Sequence, residues 1–213
     1  MRFVCVILCL LALPAQAGPW PRGKGHWFSS TSSTWSDGAF GSGFMTSQYM
    51  EYGISDRLTM VVDVRYDQVH FSGVAYTRIP LWTSEKGHRF ALEMGGGIDR
   101  GWAISRAGLS YGKGIETRWG GGWLTVDAAA ITVTATRATT YKVDATVGVS
   151  PSDRWKAILQ VQTSTVPGLS FDAKLAPSVV RRFGDHVWGE LGLTHTLTGP
   201  QQYGLKFGVW LEF

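Results

Sequence analysis

His70 and Ser72 flank Phe71, so on an extended strand an imidazole and a hydroxyl would share one face. A serine whose proton passes to a neighbouring imidazole is an acyl-transfer nucleophile, and an ester would be its substrate. Such a pair also needs a group that orients the imidazole. Asp67 and Asp99 fall in the same predicted neighbourhood, but no motif fixes their geometry. His26, His88, His186 and His195 are scattered, with neither a carboxylate nor a second histidine at ligand spacing, so no metal site is expected. Gly95-Gly96-Gly97 and Gly120-Gly121-Gly122 lack the strand-to-helix setting of a phosphate loop. No cofactor is expected.

A larger set of ionisable residues carries a different chemistry. Glu51, Asp63, Arg65, Arg78, Glu93, Arg106, Asp127, Lys142, Asp144, Lys156, Asp172, Lys174, Arg182, Glu190, Lys206 and Glu212 each sit opposite an apolar row in a period-two stretch. The signs are nearly balanced, which suits pairing across a shared polar face. The whole chain has 20 Lys and Arg against 16 Asp and Glu; without Arg2 the basic count is 19, a net of +3. That balance gives no reason to expect a nucleic-acid partner.

The elements that must position these residues are strands. No window shows a convincing 3.6-residue stripe, whereas alternating stretches recur about every 16 residues. The clearest span 58–66, 90–98, 141–149, 169–175, 187–197 and 203–213; weaker ones fill 26–35, 43–53, 73–82, 103–112, 122–133 and 155–164. That makes twelve strands, with ten as the alternative if 26–35 and 122–133 fail. Turn residues at 55–57, 84–87, 150–154 and 184–186 mark one set of connections. The other set, at 36–42, 68–72, 99–102, 134–140, 164–168 and 198–202, is also short. Trp27, Trp35, Trp82, Trp102, Trp119, Trp123, Trp155 and Trp188 fall near predicted strand ends, as interfacial rings would.

Residues 1–17 carry Arg2, an apolar run too short to span a bilayer as a helix, and Ala15-Gln16-Ala17, which suits signal peptidase. We expect a cleaved signal peptide at 1–17 and one domain at 18–213. Cys5 and Cys9 leave with the leader, so the mature chain has no thiol chemistry.

An alternating sheet with one apolar face fits either a soluble sandwich or a membrane barrel. The closing strand decides between them. Tyr203, Leu205, Phe207, Val209, Leu211 and Phe213 form one row, and the chain stops on the last aromatic. With the leader, this ending resembles that of Gram-negative outer-membrane β-barrel proteins, in which such a strand is an insertion signal for the barrel-assembly machinery. The stretch from Tyr49 to Thr59 resembles a strand-turn-strand unit of poorly characterised small outer-membrane barrels, some grouped as transporters.

The resemblance implies an all-β, antiparallel, up-and-down transmembrane β-barrel of twelve strands. It would lie in the outer membrane with both mature termini periplasmic, in contact with outer-membrane lipid and lipopolysaccharide. The leading functional expectation is a narrow passive channel for small polar solutes, lined by the ionisable set above. The alternatives are a closed structural or adhesive barrel and, third, a lipid esterase. His70-Phe71-Ser72 resembles the His-x-Ser of outer-membrane lipid A deacylases, although Gly73 follows it and no third member is identifiable. An outer-membrane phospholipase would need an asparagine, and this chain contains none. Enzymatic activity is therefore not favoured.

Overall fold

The computed structural model describes residues 18–39 and 41–213. The expected signal peptide lies outside the described residues. Twelve strands follow one another: β1 (Trp27–Gly38), β2 (Gly43–Ser55), β3 (Leu58–Tyr66), β4 (Phe71–Thr83), β5 (His88–Asp99), β6 (Trp102–Thr117), β7 (Gly120–Val133), β8 (Thr139–Ser152), β9 (Trp155–Val166), β10 (Ser170–Arg182), β11 (Val187–Thr196) and β12 (Gln202–Glu212). Each pairs antiparallel with its sequence neighbours, and β1 pairs with β12, so the sheet is a closed up-and-down barrel. Closure gives each strand a partner on both sides, which a wall in hydrocarbon requires.

The seam runs from Phe28 opposite Glu212 to Gly38 opposite Gln202. Phe213 finishes it: its amide donates to the Trp27 carbonyl at 3.0 Å, and its carbonyl accepts from the Trp27 amide at 2.9 Å. Its ring stacks between Trp27 and His186, each with centroids 4.6 Å away.

Connections follow turn chemistry. At β5–β6, Arg100 and Gly101 have φ of 50° and 84°, the double positive φ of a tight hairpin whose twist matches its strands. At β3–β4 the Asp67 carboxylate accepts from the amides of Val69 and His70. The His70 amide chiefly holds that carboxyl below its ordinary value. Register slips occur at Gly53/Ser55, Pro80/Trp82 and Val149/Ser152. Pro80 at such a slip fits its inability to donate to the ladder.

Cross-strand partners share a face, which sorts the wall into two sides. Outward rows such as Met60, Met94, Leu109, Val147, Leu159 and Leu191 are apolar and exposed. Exposed rings gather near both ends of the strands: Tyr52, Trp82, Phe90 and Trp155 near one, Trp35, Phe44, Tyr66, Phe71, Tyr141 and Tyr203 near the other. An apolar belt between two aromatic girdles is the exterior of a bilayer-spanning barrel.

Two tryptophans depart from the sequence expectation. Trp123 pairs with Gly148 and Trp188 with Arg182 on the inner face, and both are buried. Trp123 fits because Gly148 has no side chain: a Cβ there would stand 2.1 Å from the indole.

Candidate functional site

The interior is a polar lumen. By register, each of the ionisable residues named from the alternation, Glu51 through Glu212, projects from the inner face. They fall into two zones. The first is at the end where β1 starts and β12 finishes, which we term the base; the second is toward the opposite rim.

Near the base an alternating chain of charges follows the wall. Arg22 donates to Glu51 and, at 3.1 Å, to Glu212. Arg78 donates to Glu51 at 2.6 Å and to Glu93 at 2.9 Å, and Arg106 closes on Glu93 at 2.5 Å. Tyr49 donates to Glu51 at 2.5 Å and accepts from Arg78 at 3.2 Å, while Arg106 lies 4.4 Å over the Tyr76 ring. The side chains of Glu51, Arg78 and Glu93 are at most 4% exposed. Charges buried this deeply persist only when paired and hydrogen-bonded, and here each has at least two partners. On the facing wall Lys206 donates to Glu190 at 2.9 Å, and the Trp210 indole donates to the same carboxylate at 3.0 Å. Lys156 lies instead over indole faces, 4.7 Å from Trp188 and 5.8 Å from Trp123.

Residues 18–26 form a strap across the base. The Arg22 amide donates to the Thr59 hydroxyl on β3 at 3.1 Å, and the Gly25 amide donates to the Gly53 carbonyl on β2 at 2.8 Å. From there the chain reaches the β6–β7 wall, where Pro19 is fully buried. A Cβ at Gly112 would meet Trp20 and Pro19 at 2.6 and 2.7 Å, so glycine leaves the bay that receives the strap. Arg22 lies 4.7 Å over the Phe28 ring and fastens the strap to β2 and β12 at once.

Toward the far rim the lumen loosens. Asp63 pairs with Arg65 at 2.8 Å, Lys142 stands 4.0 Å from Asp144, and Ser110 donates to Asp127. Asp172 and Lys174 project from β10 in the same zone. At the base rim, Arg182 turns to the Gly184 carbonyl and to Asp185. The lumen opens at the far rim into a cavity of about 500 Å³, whose lining includes Arg65, His70, Ser72, Asp99, Arg100 and Ser170.

That cavity holds both members of the proposed ester-cleaving pair, yet each is engaged elsewhere. Ser72 donates to Asp99, and the His70 ring nitrogen lies 3.3 Å from Asp67. The same-face argument assumed that both residues lie on one strand, but β4 begins at Phe71 and His70 belongs to the turn. A hydroxyl bonded to a carboxylate is not primed by imidazole. Among the described residues, no three His, Cys, Asp or Glu side chains converge as a metal-binding group.

Sequence reasoning did not single out Arg22, Tyr49, Tyr76, Trp188 or Trp210 as lumen residues. For four of these the signal was present: Tyr49 shares the alternation of Glu51, Tyr76 that of Arg78, Trp188 that of Glu190 and Trp210 that of Lys206. Arg22 lies outside every strand and offered no such signal.

No protein-family model matches the sequence, and no curated protein matches it. Solved structures do. The KdgM porin superposes with a TM-score of 0.67 at 8% identity, covering 86% of this chain and 99% of that one. The NanC porin gives a TM-score of 0.70 at 6% identity, covering 87% of this chain and 100% of that one. The translocator domain of autotransporter NalP from Neisseria meningitidis gives 0.51 at 12% identity, covering 90% and 89%. At these identities the likeness is one of fold.

Proposed function

We propose that this chain, a Gram-negative outer-membrane β-barrel by its closed wall, apolar belt and fold, is a narrow passive channel for small polar solutes. The observation that carries the reading is the lumen: charged and hydroxyl side chains line it from the strap to a far-rim cavity of about 500 Å³. A barrel of about eight strands is filled by its own side chains, whereas the twelve strands of this wall enclose a wider interior. Similarity to structures described as porins supports the same reading, and one of them is described as KdgM in complex with oligogalacturonate. With charges of both signs along the wall, selectivity between small ions should be weak.

Planar-bilayer recording of the folded protein tests the proposal. Small, uniform conductance steps are expected, and silence across the full voltage range would remove the channel. The strap favours a second reading, a closed barrel that serves the envelope structurally, because it crosses the lumen at its base.

In this reading both mature termini and the strap face the periplasm, and the far rim faces outward amid lipopolysaccharide. The row from Tyr203 to Phe213 is what the assembly machinery engages. No cysteine occurs after Cys9, so single cysteines report orientation cleanly. A cysteine at Thr136, exposed in the β7–β8 turn, should react with a membrane-impermeant maleimide on intact cells. One at Asp185, exposed in the β10–β11 turn, should react only after permeabilisation. The reverse pattern would invert the topology.

A further inference from the structure

One sector of the outer wall is not apolar. On β1 the outward row between Trp27 and Trp35 is Ser29, Thr31 and Ser33; on β2 the residues paired with them are Met50, Gln48 and Thr46. The neighbouring outward rows return to apolar residues, with Leu211, Val209 and Phe207 on β12 and Met60, Val62 and Val64 on β3. The polar groups therefore form one strip, two strands wide. Rings close it at both ends: Trp27 and Tyr52 at the base, Trp35 and Phe44 at the far rim. These rings mark the two interfaces, so Thr31 and Gln48 lie at hydrocarbon depth.

The strip satisfies itself only in part. The Gln48 amide donates to Ser29 at 2.7 Å and accepts from Thr31, while Ser33 and Thr46 share one contact of 3.3 Å. Ser29 is buried beneath Gln48, whereas one Gln48 N–H has no acceptor within the strip, and acyl chains offer none. Other outward threonines find partners on their own wall: Thr77 donates to the Met94 carbonyl, Thr163 to the Val143 carbonyl and Thr165 to the Ser170 carbonyl, while Thr132 and Thr139 share a contact near the far rim.

We infer that this β1–β2 face is the contact between two copies of the chain in the membrane. Three properties select a second copy as the occupant. The groups are uncharged, and each hydroxyl or amide both donates and accepts, so the strip is complementary to its own image, as a twofold contact requires. Two barrels inserted in the same direction can be related only by an axis along the membrane normal. Each depth then meets its own depth, and Thr31 and Gln48 face Gln48 and Thr31. The small side chains of β1 also leave a shallow trough in which two walls can approach closely, as small residues allow between membrane segments. Four strands at about 4.8 Å spacing, β12 to β3, over a belt about 25 Å tall offer roughly 500 Å² per copy, near the ~1,000 Å² total of a specific interface.

Cross-linking of the full-length protein in outer-membrane vesicles tests this. With Thr31→Cys, oxidation should give a species of twice the monomer mass, while Val147→Cys, outward on the opposite wall, should give none. The double variant Thr31→Val, Gln48→Leu should become monomeric in mild detergent while keeping heat-dependent gel mobility, the mark of an intact barrel. Equal cross-linking at Thr31→Cys and Val147→Cys would show random collision and overturn the inference. So would a monomeric wild-type protein in both vesicles and detergent, or a Thr31→Cys adduct formed only with another protein.

Discussion

Replacing Arg78 with leucine is expected to lower the stability of the folded barrel by about 3 kcal/mol, whereas Arg65→Leu should cost about 1 kcal/mol or less. Both are inward-facing arginines on neighbouring strands, yet their environments differ. The Arg78 side chain is 4% exposed and gives hydrogen bonds to Glu51, Glu93 and Tyr49. Arg65 is 46% exposed and meets one carboxylate, Asp63. Removing Arg78 leaves two deeply buried carboxylates each short of a partner. The cost stays at the low end of the range for broken buried pairs because Glu51 keeps Arg22 and Tyr49, and Glu93 keeps Arg106.

Urea titration of the protein folded in lipid vesicles, followed by the fluorescence of its 10 tryptophans, measures both variants. A double-mutant cycle adds specificity: Arg78→Leu with Glu93→Leu should cost less than the two single changes summed, by about 1–3 kcal/mol. Additive losses would mean that the two side chains do not act as a pair.

The same contrast explains what was legible in the sequence. Parity along a strand set the ionisable side chains opposite the apolar rows, and the register places them on the inner face. Parity does not say who pairs with whom. Arg78 meets Glu51 across β3, a relation set by register and side-chain reach. β1 was among the least secure strands for a physical reason: its outward row is Ser29, Thr31 and Ser33 and its inward row includes Ser30, Ser32 and Thr34, so neither face is apolar. β7 blurs differently, since Ala128, Ala129 and Ala130 make both faces small and apolar. The His70 and Ser72 pairing failed because it borrowed strand geometry for a residue that Asp67 holds in a turn. The strap had no periodicity to read, and its course depends on partners distant in sequence, Glu51 and Glu212.

That strap sets the second large effect. Resistances along a pore add in series, so the narrowest segment dominates, and the strap crosses the lumen at its base. The double variant Trp20→Ala, Arg22→Ala removes the ring beside Gly112 and the guanidinium that ties the strap to Glu51 and Glu212. Single-channel conductance should rise several-fold over wild type, with noisier open levels as residues 18–26 come free. Barrel stability should fall much less than in Arg78→Leu, because Glu51 retains Arg78 and Tyr49. If the strap is a permanent part of the wall, conductance will stay at the wild-type level while stability drops. If it is a movable restraint, the two readouts will separate, with large conductance on an intact barrel. That separation distinguishes a channel narrowed at its base from a barrel that never conducts.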